Sequence, residues 1–438
     1  MKPITKSYPT FDCDAHITEQ PQIWEYLSAK EKEVVRPWYW VEGNQVIVNG
    51  TKLVKGQWAG SIGAVSVVES GGPGVTKQMI RMLREMDLTD EQYEYVNYKG
   101  AREPGARLAD MDVQGIDQVV VIPIMMFNQF PWVENVYAAE LIARAYNDWI
   151  YDWCSLNPER LFPAACLPLQ SPHMAAKEIE RSAERGFRVA MVRPVAHQDR
   201  YPNLPAFEPV WKTFEETGLV AGMHSLAAAE NVWHLSRTGR QWSPGMLIEK
   251  AVREEQMGGP SQSIGFVHES MAWISNVLLS GFLERYPRLK MAIMESNAAW
   301  LPMLLQACDD GFHLYKNQRK PQVSRLPSEI FNERCFIAFE GDEKPVYKQY
   351  AVYQDIGIWS SDVYHHDGAD AWTAIRYMET AGVPEEVQAK LMGSNARRMY
   401  GIEPKQFTTT EPEGYPRPDW YPTAEDIQRT FGDRMTAV

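Results

Sequence analysis

No apolar run in this 438-residue chain reaches the ~18 residues that a membrane-spanning helix needs. The opening stretch, Met1-Lys2-Pro3-Ile4-Thr5-Lys6, lacks the apolar core of a signal peptide. No membrane partner is expected, and the cytoplasm is the expected location. Basic charge is scarce too: 44 Lys and Arg stand against 57 Asp and Glu, a formal charge of −13. With no basic run to release counterions from nucleic acid, no nucleic-acid partner is expected either. The five cysteines (Cys13, Cys154, Cys166, Cys308, Cys335) show neither CxxC nor zinc-finger spacing, so they read as small buried hydrophobes of a reducing compartment. What the chain does have is core, with 45% hydrophobic and 23% charged residues, the balance of a globular protein.

The chemistry concentrates first in Phe11-Asp12-Cys13-Asp14-Ala15-His16-Ile17-Thr18-Glu19. Alternation along a strand turns Asp12, Asp14 and His16 onto one face and Cys13 onto the other. A carboxylate and an imidazole two residues apart then grip one cation from the same side, which marks Asp14 and His16 as a metal-binding pair. Catalytic divalent metals usually take at least three protein ligands. Two later apolar segments supply the others: 219–224 finishes on His224 and 356–362 finishes on Asp362. Singly, each residue has a plain structural role open to it, since an Asp at a strand end often caps a turn and a lone His is often a satisfied core group. Together they favour a metal site.

Apolar segments at 116–123, 162–169, 188–193, 219–224, 290–294, 335–339 and 358–361 follow the first strand, with helical patterns between them. Continuous apolar runs are the mark of strands buried on both faces. Eight such strands imply an α/β fold, a closed (β/α)8 TIM barrel over residues 1–402. Residues 28–100 read as an N-terminal insertion, with a hairpin at 39–50, a Gly/Ser-rich loop at 69–74 and small helices. Residues 403–438 read as an extended Pro-rich C-terminal tail, whose Tyr415, Trp420 and Tyr421 would anchor it to a neighbouring subunit or to its own barrel.

With these residues in place the chain resembles the amidohydrolase-related family, the branch of the amidohydrolase superfamily that contains aminocarboxymuconate semialdehyde decarboxylase. The likeness rests on the opening DxDxHxxE from Asp12 to Glu19, on Leu283-Glu284-Arg285-Tyr286-Pro287-Arg288-Leu289-Lys290, on Ser361-Asp362-Val363-Tyr364-His365 and on Gly393-Ser394-Asn395-Ala396-Arg397-Arg398. The resemblance implies one divalent metal held by Asp14, His16, His224 and Asp362. Two departures stand out: Glu295 occupies the end of the sixth strand where decarboxylase members place a His, and Tyr364 stands where the family's turn carries proline.

Glu19, His268, Glu295 and His365 exceed the needs of one metal. Either Asp362, His268 and Glu295 share the acid and base work of a mononuclear site, or Glu19, His268, Glu295 and His365 contribute to a second metal. Glu19 as a helix cap and His268 as a helix-start residue are the structural alternatives. Arg193 and His365 are the expected substrate contacts, Arg193 by a bidentate grip on a carboxylate or, alternatively, as a structural salt bridge. Met125, Met126, Phe127, Phe130 and Trp132 form a pocket wall or a packed loop, and His173, His197, His234 and His313 read as surface or loop groups. Zinc is the leading cation, with manganese or iron, and two metals, as alternatives. The leading function is hydrolysis of a small organic substrate by metal-activated water. Its alternatives are non-oxidative decarboxylation, dinuclear oxygenase or phosphatase chemistry, and a non-catalytic partner subunit. A homo-oligomer, or a hetero-oligomer with a related barrel, is expected.

Overall fold

The computed structural model describes residues 3–42, 45–54, 82–83, 86–89, 91–92, 99–124, 126, 130–195, 197–198, 200–225, 264–317, 323–365, 368–415 and 417–432. The Gly/Ser-rich stretch at 69–74, most of the helix expected at 77–86, and Met125, Phe127, His234 and His366 lie outside the described residues.

Eight parallel strands run β1 Phe11–Ile17, β2 Gln118–Pro123, β3 Leu161–Cys166, β4 Val189–Val192, β5 Val220–His224, β6 Met291–Met294, β7 Cys335–Glu340 and β8 Gly357–Ser360. They pair in that order. The ring closes where Asp362 N donates to Asp14 O (3.1 Å) and His16 N donates to Val363 O (2.6 Å). The expected eight strands and the (β/α)8 barrel are therefore what the chain forms.

Alternate residues of every strand meet in one apolar cluster, among them Phe11 and Cys13 of β1, Val120 of β2, Ala164 of β3, Met191 of β4 and Ile358 of β8. This is the filled interior of a barrel rather than a pore. The residues between them, such as Val121, Ala165, Ile293 and Trp359, belong to the larger cluster that also takes in the crossover helices. Those helices include Val136–Cys154, Pro172–Glu184, Glu208–Thr217, Phe266–Leu279, Leu301–Tyr315 and Ala371–Thr380. Their signals are local. Asn135, Ser171 and Asp370 cap their helices by side-chain acceptance from the third residue, which satisfies one of the orphan donors at each start.

Strict alternation fails at one point that matters. The pairing of β1 with β2 shifts register between Asp12 and Ala15, so Cys13 packs inward beside Phe11, while Asp14 and His16 are carried to the site. A bulge of this kind re-aims side chains, and it is common beside active sites. Asp12 consequently leaves the proposed ligand face. Its Oδ1 accepts from Ser361 N (3.0 Å) and Asp14 N (3.2 Å), and its Oδ2 takes the Ser361 hydroxyl. Cys13 is packing, as expected, but not for the expected reason.

In the insertion the expected hairpin gains a third strand, Tyr39–Glu42, Gln45–Val48 and Thr51–Val54 forming one antiparallel sheet. The C-terminal tail docks on its own barrel. Lys6 N donates to Thr409 O (2.9 Å), Glu411 N to Ile4 O (2.9 Å), and Phe407 N and Thr408 N to Asp117 Oδ1 (2.7 and 2.8 Å). Tyr421 is buried against Leu83 and Leu88. Extended at its start, the tail ends in a helix, Ala424–Phe431, opened by a capping box at Thr423 and Asp426. The proline-based expectation of extended chain throughout does not hold there, because the last proline, Pro422, precedes the helix and leaves it unbroken.

Candidate metal centre

The carboxyl ends of β1, β5, β6 and β8 bring six side chains together. His16 Nε2 lies 3.5 Å from Asp14 Oδ1, 3.3 Å from Glu295 Oε2 and 3.2 Å from Asp362 Oδ1. His224 Nε2 lies 2.8 Å from Glu295 Oε2 and 3.8 Å from Asp14 Oδ2. His365 Nδ1 is 2.6 Å from Asp362 Oδ1. Two overlapping sets of four result, Asp14 with His16, His224 and Glu295, and His16 with Glu295, Asp362 and His365. Within each, the ligand atoms lie within 4.8 Å of one another. A small pocket lined by Asp14, Glu295, Ser296, Asn297, Glu340 and Asp362 among others opens beside them.

The residues fit a divalent cation. Both carboxylate oxygens of Asp14 are buried, and among the described residues no hydrogen bond reaches either. With only the His16 and His224 imidazoles nearby, at 3.5 and 3.8 Å, and no hydrogen bond, a cation seated among them would supply the partner that the buried Asp14 charge calls for. The donors are oxygen and imidazole nitrogen with no thiolate, a set that suits zinc, manganese or iron. His224 Nδ1 donates to the Ser225 carbonyl (2.6 Å), which in the neutral ring leaves the Nε2 lone pair facing Asp14 and Glu295. A backbone acceptor on the far nitrogen is the usual way a ligand histidine is oriented.

Glu295 is held with care. Its backbone (φ 47°) and that of Asn297 (φ 52°) are left-handed, a conformation that costs a non-glycine residue about 1–3 kcal/mol and persists only where the surroundings enforce it. Here Ser225 Oγ donates to Glu295 O (2.7 Å), Glu343 Oε1 accepts from Ala298 N (2.8 Å) and Ala299 N (2.7 Å), and Tyr353 OH donates to Ala298 O (2.9 Å). Asp362 is also left-handed (φ 52°), and the Val363–Tyr364 peptide after it is cis.

Electrostatics follow from crowding. Burial pushes Asp14 up to about 6, partly offset by His224 and His16. Burial alone would lower the His16 imidazole, yet its bonds to Asp362 and Glu295 and the charge of Asp14 hold it well above the ordinary value. Burial would raise Glu295, but His224 and His16 hold it well below the usual carboxylate range. In the metal-free protein, imidazolium charge thus neutralises the carboxylates, and an incoming cation must expel those protons. The sign is fixed by the raised His16: affinity for Mn(II) is expected to rise with pH, by about tenfold per unit for each proton displaced. Calorimetry in two buffers of different ionisation enthalpy measures the released protons; a pH-independent affinity is the opposing result.

The remaining expectations divide. Glu19 is buried but stands in neither set of four; its Oε1 accepts from Met126 N (2.9 Å). His268 sits in the first turn of Phe266–Leu279 and is likewise in neither set. Arg193 is buried at the end of β4, with Nη2 3.3 Å from Glu269 Oε1. Met126 and Phe130 are buried in the core. His173 and His313 are exposed, but His197 is buried, its pKa lowered by desolvation to about 3. It is no surface group. Sequence reasoning passed over Ser225 and Glu343, for which no motif gives a signal; Asp12 and Ser361 lay within its motifs, but their hydrogen bonds to each other were not read from them. It also passed over Arg107, whose position in an amphipathic helix looks like any solvent-facing cation.

The family model described as Amidohydrolase matches residues 11–402, and the chain belongs to the amidohydrolase family. A gamma-resorcylate decarboxylase of Rhizobium sp. (strain MTP-10005) is 24% identical over 314 residues, which cover 68% of this chain and 86% of that protein. An amidohydrolase from Mycobacterium avium subsp. paratuberculosis K-10 superposes with a TM-score of 0.67 at 17% identity, covering 90% of this chain and 100% of its own. The 5-carboxyvanillate decarboxylase of Novosphingobium aromaticivorans DSM 12444, complexed with manganese and 4-hydroxy-3-methoxy-5-nitrobenzoic acid, superposes with a TM-score of 0.61 at 16% identity over 90% and 97%. Both structures share the fold. Among the described residues no helix is long and apolar enough to cross a membrane.

Proposed function

We propose that this protein is a metal-dependent carboxy-lyase that releases carbon dioxide, without oxygen, from a small hydroxy-substituted aromatic acid. The hydrolytic reading put first by the sequence gives way because the relative matched over 86% of its length is a decarboxylase. The geometric observation that carries the reading is Asp362 Oδ1, which faces His16 Nε2 at 3.2 Å and His365 Nδ1 at 2.6 Å. A proton carrier is thereby set against the ligand cluster, as decarboxylation requires.

Asp14, His16 and His224 would hold the cation together with Glu295, which completes their set of four, and Asp362, 3.2 Å from His16 Nε2, would join them from the second set. Manganese is preferred over zinc, since it is what the superposed decarboxylase binds. When bound, the cation would accept the substrate's carboxylate and neighbouring hydroxyl oxygens and draw off developing negative charge. The bond from ring carbon to carboxylate breaks, carbon dioxide leaves, and the electron pair stays on the ring carbon. His365, oriented through Nδ1 by Asp362, delivers a proton to that carbon. The burial of Asp14 and His16 (1% and 2% exposed) keeps water from competing for the step. In anaerobic D₂O, the manganese-loaded protein should convert an ortho-hydroxybenzoic acid into carbon dioxide and a phenol carrying one deuterium at the vacated carbon. Turnover that instead places ¹⁸O from water in the product, with no carbon dioxide, would return the assignment to hydrolysis.

A second reading rests on the second set of four: Glu295, Asp362 and His365 would hold another cation beside the first, with His16 Nε2, which has a single lone pair, serving only one of the two. Two metals per chain including iron, with turnover that stops when oxygen is removed, would favour it and its oxygenase chemistry; two metals with phosphate release would favour a phosphatase.

A further inference from the structure

Asp14 and His16 enter the site on β1, and Asp362 and His365 on the turn after β8. One segment outside the barrel, from Gly100 to Asp110, touches both. The Arg107 guanidinium is fully buried (0% exposed). Its Nε donates to Gly100 O (2.8 Å) and its Nη2 donates to the carbonyl of His16. Thr18 N, just beyond, donates to Ala101 O (2.8 Å). The same guanidinium lies 4.8 Å from the ring centroid of Tyr364, inside cation–π range. Tyr364 OH, in turn, donates to Asp110 Oδ2 at 2.5 Å. Gly100 is packed so closely against this junction that an added Cβ would stand 1.9 Å from Tyr364 OH and 2.2 Å from Asp110 Oδ2.

We propose that Arg107, Asp110 and Tyr364 form a brace that fixes the spacing between the β1 ligands and the Asp362–His365 turn. Arg107 sets the height of His16 through its carbonyl, and Tyr364, flanked by Val363 and His365, is pinned at both ring and hydroxyl. The brace also accounts for the departure at residue 364: a proline has neither a hydroxyl for Asp110 nor an aromatic face for Arg107. All three are positioning residues that act through His16, Asp362 and His365, and the proposal rests on the metal reading of that cluster.

The test is the affinity of the full-length metal-free protein for Mn(II) alone, read by calorimetry beside thermal melting with and without the ion. Tyr364→Phe, which keeps the ring and removes the hydroxyl, and Asp110→Ala should each weaken binding by about 10- to 100-fold, the usual cost of losing a group that orients ligands. Asp110→Asn, which still offers an acceptor oxygen, should restore most of the affinity. The rise in melting temperature on adding Mn(II) should shrink in Tyr364→Phe, an effect that a merely structural bond would not produce. Should Asp110→Ala fail to fold, Tyr364→Phe and Asp110→Asn decide alone. Unchanged affinity in Tyr364→Phe together with loss in Asp14→Asn overturns the brace and leaves the metal site standing. Unchanged affinity in both overturns the metal site and the brace with it.

Discussion

His224→Ala is expected to strip the protein of its divalent metal while leaving the barrel folded. His224 is the last residue of β5, and its strand register with Met294 is carried by backbone alone. Losing the imidazole therefore removes a ligand without removing a ladder bond. Water can replace the lost bond but not the placement that Ser225 O gives the ring, and affinity should fall by at least about 100-fold, beyond the usual loss from a group that merely orients a ligand. Asp14→Asn should behave alike: the amide keeps the shape of a side chain 1% exposed but removes the charge a divalent cation needs. His173→Ala, exposed in the first turn of Pro172–Glu184, should change neither metal content nor folding. Metal analysis beside circular dichroism reads all three, and full occupancy in His224→Ala would defeat the assignment.

Gly115→Ala is expected to do the opposite, costing stability and sparing the site. Gly115 ends the helix Pro104–Gln114 in the left-handed region (φ 75°), and a Cβ there would meet the Trp372 ring at 2.6 Å. The ring cannot swing away, because it is 1% exposed and its Nε1 donates to Val113 O (2.9 Å). Left-handed backbone costs a residue with a Cβ roughly 1–2 kcal/mol, and forcing atoms into a filled core about 1–3 kcal/mol. A loss of about 3 kcal/mol in urea unfolding follows from the two together. Gly115 lies where β2 begins, at the end of the barrel away from the cluster, so Mn(II) affinity of the folded protein should be unchanged. A stability equal to the parent's would mean that Trp372 can move.

These two expectations mark what the sequence discloses. Apolar runs such as 116–123 announced buried parallel strands because both faces of each strand are covered, and the strand ends then placed Asp14, His16, His224 and Asp362 at one end of the ring. Direction is harder to read than position. Glu19 and His268 also lie beyond strand ends, yet only the packed backbone decides that Glu19 turns to Met126 N and that His268 stays in a helix's first turn. The register shift in β1 was hidden for a similar reason: no residue between Asp12 and Ala15 is a glycine or proline that would advertise it. Glu295 was visible as a departure from the family, but its partnership with His16 and His224 depends on a left-handed backbone enforced by Ser225, just after β5, and Glu343, just after β7. Arg107 was invisible altogether, since helical periodicity cannot tell a buried cation from an exposed one.

The central claim is that Asp14, His16, His224, Glu295 and Asp362 enclose one cation, and a crystal of the manganese-loaded protein measured at the manganese absorption edge tests it most directly. The expected result is an anomalous peak within bonding distance of one oxygen of each carboxylate and of Nε2 of both histidines. A peak bound elsewhere, or none at this cluster in protein that retains manganese, would contradict it.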